Sequence, residues 1–301
     1  MTTESLTKFW PLILSIIQEF WAITEPHIED AAIQASIPIE LYYYSELGLD
    51  SFSTEEFQKR DPFSNPMQFE KIFVTLNFKG WIEPQPDEKY QVTEKARKAA
   101  RRIIQAGDGF LLPFESFTDI DLKKLAGLLK QLVHSCQFTP EPPRKWAIEK
   151  RFRIAGQDSP VIVQLREHLM DLFAYRDDSH ISAARPHFGQ AGIVWNVLGS
   201  LWRKEAVTAE QVAESLAFRA YEVNDYEVAL QAAAQIGWAE RIDTSSAYRI
   251  TQTGRELREQ AEQLTNEYFY APWSVLIQSE LDELYDLLLK LRDQLNSFRK
   301  R

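Results

Sequence analysis

The chain has 301 residues, enough for two domains, and 45% of them are hydrophobic, enough to bury a core in each. Its 34 basic and 44 acidic side chains leave a net charge of −10, with both halves acidic, so a general phosphate-binding surface is excluded and any nucleic-acid contact needs a local basic patch. Cys136 is the only cysteine, which rules out an intrachain disulfide and a cysteine-based zinc site.

The first element is an apolar run from Phe9 to Ile23. Gln18 and Glu19 interrupt it, and it is shorter than the roughly 20 residues a membrane span requires. With no basic leader before it, the run is a packing helix and the chain is expected to be cytoplasmic, with no membrane contact. Tyr42, Tyr43 and Tyr44 follow. Three consecutive aromatics cannot all face inward from one helix, so at least one is expected to line a ligand cleft or a partner surface.

A helix is then predicted from Thr54, with Glu55 and Glu56 in its first turn, and a second from Pro66, capped by Asn65. Gly80 ends the second helix, and Trp81 and Tyr90 begin two short strands joined by a polar turn. Thr93 caps the helix that follows. The same order returns downstream. Thr208 opens a helix, Asn224 or Asp225 opens the next, and Gly237-Trp238, Tyr248 and Thr251 repeat the hairpin and its cap. The Gly-Trp pairs lie 157 residues apart and the tyrosines 158, a one-residue insertion where a hairpin tolerates it. The repeat predicts a mainly α fold with small β-hairpin wings: two winged helix-turn-helix units with flanking N- and C-terminal helices. Pro140, Pro142 and Pro143 interrupt helix formation between them. The predicted division is residues 1–137 for the N-terminal helix and first unit, 138–159 for a proline-rich linker, and 160–301 for the second unit and C-terminal helix.

The C-terminal segment places Ile277, Leu281, Leu284, Leu288, Leu291, Leu295 and Phe298 at steps of four and three, a heptad seam. The seam reads as a homodimer interface, with packing across its own domain as the alternative.

The Gly-Trp, hairpin, Tyr-x-[Val/Ile]-Thr pattern between terminal helices resembles bacterial winged-helix regulators of the MarR type. The second half is also similar to the SalK-like helix-turn-helix proteins, through Arg166-Glu167-His168, Arg176, Asp178, His180, Ile250-Thr251, Gly254-Arg255, Thr265-Asn266 and Ala271-Pro272-Trp273. Where that family's pattern reads Arg-Gly-Asp-Gly-His, this chain has Arg176-Asp177-Asp178-Ser179-His180, with both glycines replaced. The resemblance spans roughly residues 165–290. It implies a winged-helix scaffold that binds a small molecule, and carries no settled reaction.

Reading DNA requires arginine, lysine, asparagine or glutamine on a helix in the major groove. The second unit's candidate helix offers Asp225 and Glu227 near its start, so it repels phosphate. The first unit offers Gln68 and Lys71, followed past the hairpin by Lys95, Arg97, Lys98, Arg101 and Arg102. A further basic run, Arg144, Lys145, Lys150, Arg151 and Arg153, is placed to clamp a nucleic-acid backbone.

For chemistry, Arg176, Asp178 and His180 form the densest polar group: an anion holder, an orienting carboxylate and a general base. The same residues also suit a structural ion pair. Their spacing, with His187 included, matches no established zinc signature, so no metal or cofactor is expected. Trp273 joins Tyr42, Tyr43 and Tyr44 as a ligand-binding candidate. The reading that follows is a non-enzymatic winged-helix regulatory protein, dimeric, binding a small molecule or protein partner. A DNA-binding regulator using the first unit, disfavoured by the net charge, is the alternative, and a SalK-like enzyme using His180 the second.

Overall fold

A computed structural model describes residues 3–44, 51–156, 158–189, 191–242 and 246–301, and within them the fold is mainly helical with two small antiparallel sheets. After α1 (Thr3–Leu6) and the long α2 (Phe9–Ala35) come α3 (Glu40–Tyr43), β1 (Ser51–Phe52), α4 (Thr54–Arg60), α5 (Pro66–Phe78), β2 (Ile82–Gln85), β3 (Lys89–Val92) and α6 (Glu94–Asp108). The middle of the chain forms α7 (Phe114–Phe117), α8 (Leu122–Phe138), α9 (Trp146–Lys150) and α10 (Val161–Phe188). The second half continues through α11 (Gly192–Arg203), α12 (Ala209–Ser215), a 3-10 turn (Ala217–Arg219), α13 (Val223–Gln235), β4 (Ala239–Arg241), β5 (Tyr248–Ile250), α14 (Gln252–Tyr270), a 3-10 turn (Ala271–Val275) and α15 (Gln278–Arg299).

The repeat extends to individual hydrogen bonds. Gly80 and Gly237 both take left-handed φ values, +70° and +81°, a conformation that glycine adopts without steric cost. Trp81 N donates to Leu76 O and Trp238 N to Ala233 O, closing the two helix ends alike. Thr93 N donates to Trp81 O and Thr251 N to Trp238 O, and each threonine hydroxyl then caps the next helix, accepting from Ala96 N or Gly254 N. Both hairpins are antiparallel, with Ile82 opposite Val92 and Ala239 opposite Ile250. In the first, β1 adds a third strand through Phe52 opposite Tyr90; in the second, the single bond from Tyr248 N to Val207 O stands at the equivalent place.

Two helix starts differ from expectation by a residue or two. Ser53 caps α4 because Glu56 reaches back to complete a capping box, leaving Thr54 as the first helical residue. In the second half α13 starts at Val223, where the Asp225 carboxylate accepts from Glu222 N at 2.9 Å.

Each hairpin covers its own small core, around Phe52, Phe57, Phe69, Phe73 and Trp81 in the first and Val197, Leu201, Val212, Tyr226 and Leu230 in the second. The largest core belongs to neither. Phe9, Ile13, Ile16 and Phe20 of α2 pack with Leu125, Leu129 and Leu132 of α8, Leu165, Leu169 and Leu172 of α10, and the α15 leucines. Both chain ends therefore close one shared core, and Glu19 ties them at the rim, accepting from Asn296 at 2.9 Å and Arg299 at 2.8 Å.

That arrangement corrects three expectations. The heptad seam is not a dimer interface: Leu281, Leu284, Leu288, Leu291 and Leu295 are buried within the chain, Phe298 packs edge-on to Phe114, and Ile277 alone stands exposed, before the helix begins. The apolar α2 satisfies the stripe, and burial of each leucine contributes about 1.5–3 kcal/mol. Trp273 is fully buried among Phe9, Phe269 and Tyr270, so it serves the core and reaches no ligand. The stretch read as a linker, 138–159, is packed in: Ala147 and Ile148 are buried. Its basic residues are consumed internally as well. Lys145 Nζ donates to the carbonyls of Gln137 and Thr139, while Arg151 and Arg153 pair with Glu167 and Asp171 on α10, so these three form no backbone clamp.

Candidate functional site

The segments joining α4 to α5 and α12 to α13 are the turns of the two repeated helix pairs, and they are bound to each other. Asn65 N donates to Arg219 O and Asn65 Nδ2 to Ala220 O, both at 2.9 Å. Arg219 Nη1 lies 2.7 Å from Asp61 Oδ1 and 3.1 Å from Ser64 Oγ, and Tyr221 donates its hydroxyl to Ser64 O at 3.2 Å. From α11, Asn196 Nδ2 donates to Phe63 O at 2.8 Å. The backbone at Gly192 passes so close that a Cβ there would stand 1.8 Å from Pro62 O. Asn65, the cap of α5, is thereby bound to the turn that precedes α13.

Behind the interlocked turns lies a chamber of about 370 Å³, within the range of small-molecule sites. Its charged lining is Arg60, Arg203, Arg219 and Arg258 against Asp61 and Asp177, and its apolar walls include Phe63, Trp195 and Phe218. Arg258 projects from the buried face of α14, its guanidinium 4.5 Å from the Trp195 ring and 5.3 Å from Trp202. Glu262 pairs with it at 2.9 Å, yet Arg258 Nε has no partner among the described residues. Burial lowers its pKa to about 10, the mark of a cation short of compensation.

His180 lines the same chamber. Burial first, then the charges of Arg258, Arg176 and Arg203, push its pKa down to about 3, so the imidazole is neutral. The Thr265 hydroxyl donates to Ala261 O, leaving its oxygen to face His180 Nδ1 at 3.5 Å, while Trp195 Nε1 donates to His180 Nε2 at 3.5 Å. The contacts define the Nδ1–H tautomer, with the Nε2 lone pair taken by the indole. A general base for neutral pH needs a free lone pair and a pKa near 7, and this ring has neither.

Of the other two members of the predicted catalytic group, Arg176 shares this face and lies 3.7 Å from Glu262, as His180 does, while Asp178 lies elsewhere. Asp178 points to the opposite side of α10, where its oxygens accept from Ala147 N at 2.8 Å and Ile148 N at 3.0 Å at the start of α9. Arg176 lies over the rings of Trp10 and Phe269 and donates to Asn266 Oδ1 at 2.8 Å. Residues 176, 178 and 180 share a helix, and the two-residue step turns Asp178 away from the face that carries the other two. Among the described residues no group of three histidine, cysteine or acidic side chains is placed to hold a metal.

Of the three tyrosines, Tyr42 is buried with its hydroxyl toward Glu25, Tyr43 is exposed, and Tyr44 packs edge-on to Phe57. The space beside Tyr42 is about 20 Å³, room for a water rather than a ligand. Gln68 and Lys71 lie on α5, Gln68 half-buried and Lys71 exposed. On the flank of α6, Lys95 sits over Trp81, Lys98 approaches Glu94, Arg101 lies beside Phe152 and Arg102 is exposed; Arg97 is half-buried. The site that motif reading missed is the arginine chamber, whose residues come from α4, α10, α11, the 3-10 turn and α14. Its one sequence signal is Arg258, standing with Gly254, Ala261, Thr265 and Phe269 on the buried face of α14.

Residues 162–298, from α10 to the end of α15, match the model of a helix-turn-helix family, and this half of the chain is accordingly a helix-turn-helix region. No curated protein and no solved structure matches the chain. No helix among the described residues is long and apolar enough to cross a membrane.

Proposed function

We propose that this protein is a non-enzymatic regulatory protein of two winged helix-turn-helix units, MarR-like in outline and SalK-like in its second half, whose function is to bind a small molecule in the chamber between the units. The chamber carries the reading: it is lined by arginine and aromatic side chains, and Asp61, Phe63 and Arg219 of the interlocked turns form part of its wall. In groove-reading proteins the N-terminal residues of the recognition helix contact base edges. Here the turns that lead into α5 and α13 are bound to each other, and the first turn of α13 carries Asp225. A homodimer of this chain would use a surface other than the α15 seam.

A thermal-shift comparison tests the proposal. Small organic acids, amines and neutral compounds are screened against the full chain and against Gly199→Leu, which fills the chamber from α11. Organic acids are expected to raise the melting temperature of the wild type and to leave the variant unmoved. Equal shifts in both proteins, or none in either, would refute it.

The second reading, a DNA-binding regulator, draws on the helix-turn-helix match and on the exposed Lys95, Lys98, Arg101 and Arg102 along α6. Arg97→Ala with Arg101→Ala abolishes DNA retention under that reading and leaves it unchanged under the first.

A further inference from the structure

A second cavity, of about 270 Å³, adjoins the chamber and shares two of its walls, Arg60 and Ile181. Its character is different. Pro143, Trp146, Ile181 and Pro186 give it a mainly apolar surface, with Lys59, Arg144, Ser182 and Arg185 at its edges. The Asp178 carboxylate is bound by the backbone of α9, and Arg185 donates to Lys59 O. The waist between the two spaces is formed by Ile181 and by Arg60, which Asp177 holds at 2.9 Å. One space is therefore charged and aromatic: its four guanidinium groups pair with Asp177, Asp61, Glu205 and Glu262, Arg258 Nε keeps no partner among the described residues, and its neighbour is mainly apolar.

We propose that the two spaces form one site for an elongated amphipathic anion: a carboxylate-like head against Arg258 and Arg203, and an apolar tail passing the waist to lie between Trp146, Pro143 and Pro186. The inference rests on the chamber reading above and adds the ligand's class and length. Size is compatible with it: the second space alone falls below the range of ligand pockets, about 300–1,000 Å³, the chamber lies in its lower part, and the two together lie well inside it. Chemistry supports it too. A guanidinium pairs with a planar carboxylate through parallel N–H donors, and each methylene removed from water contributes about 0.8 kcal/mol. His180 contributes no charge of its own to the head site, because its ring is neutral and its nitrogens are engaged by Thr265 and Trp195.

The test is isothermal titration of the full chain with sodium butyrate, sodium octanoate and octylammonium chloride, all below micelle formation. Octanoate is expected to bind at least ten-fold more tightly than butyrate, and octylammonium not at all. Ser182→Phe, which fills the second space from its wall, should erase the advantage of octanoate and leave butyrate binding as it was; Ser182→Leu does the same work if the larger residue prevents folding. Arg258→Gln should weaken both anions at least ten-fold. Equal binding of butyrate and octanoate, insensitive to Ser182→Phe, would overturn the two-space inference and leave the chamber reading standing. Octylammonium binding as well as octanoate would overturn the anionic head. Failure of both anions to bind would remove this inference and count against the chamber reading as well, and the wider acid panel of the thermal-shift screen decides between those two.

Discussion

Replacing Gly192 with alanine tests the docking of the two halves by the sign of its effect. The residue is the first of α11 and its φ is not left-handed, so alanine suits the local backbone. Helix propensity alone makes Gly192→Ala neutral or stabilising by up to about 1 kcal/mol. The docked structure says the opposite. A Cβ at 1.8 Å from the Pro62 carbonyl oxygen meets backbone, which no side-chain rotation can move, and the turn must retreat by more than an ångström. That retreat breaks the bonds from Asn65 N and Nδ2, Asn196 Nδ2 and the Tyr221 hydroxyl. At about 0.5–1.5 kcal/mol each, their loss amounts to about 2–6 kcal/mol, and the propensity gain leaves a net destabilisation of about 1–6 kcal/mol. Urea unfolding of both proteins measures it, with the slope watched for a separate early transition of the first unit. A Gly192→Ala protein as stable as the parent, or more so, would refute the turn-to-turn contact and with it the chamber's front wall.

Three further outcomes are expected. Leu288→Ala should cost about 2–5 kcal/mol in urea unfolding, as for a fully buried leucine, while light scattering shows the same oligomeric state as the parent, because its partners belong to the same chain. Acid titration should expose His180. Its folded pKa is depressed to about 3, so its neutral ring supports the fold above its unfolded pKa of about 6.5 and stability is lost as pH falls from there, by at most about 1.4 kcal/mol per pH unit. His180→Gln should flatten that slope. Asp178 runs the other way: burial raises its pKa to about 7, so the stability tied to its protonation is present below about pH 4 and lost as pH rises through 7. Asp178→Asn should remove that fall, observed as the pH dependence of the unfolding midpoint.

The local features of the fold were legible because each is written within a few neighbouring residues. Gly80 and Gly237 need a left-handed backbone, Thr93 and Thr251 cap the helix they precede, and Asn65-Pro66 states where α5 begins. The displaced starts of α4 and α13 arose where two capping residues stood side by side and the reach of Glu56 or Asp225 decided between them. The α15 seam was legible as an apolar stripe, but periodicity says that a face is buried and not what buries it. That partner, α2, lies more than 240 residues away in sequence. Trp273 was misplaced for the same reason. The chamber was beyond local reading, since Arg60, Arg203, Arg219 and Arg258 meet only after two turns 155 residues apart have docked through Asn65 and Ala220. The group around His180 read as a cluster because its members are close in sequence, and α10 then divides them between opposite faces.

The measurement that bears most directly on the central claim is fluorescence anisotropy of the full chain with labelled fragments of its own gene neighbourhood, at low salt and at about 0.15 M. If the two helix-turn-helix turns are occupied by each other and the chamber has taken over as the binding site, any association at low salt is independent of sequence and vanishes at physiological ionic strength. Tight, sequence-dependent binding that survives there would contradict the account and restore α5 or α13 as a groove-reading helix.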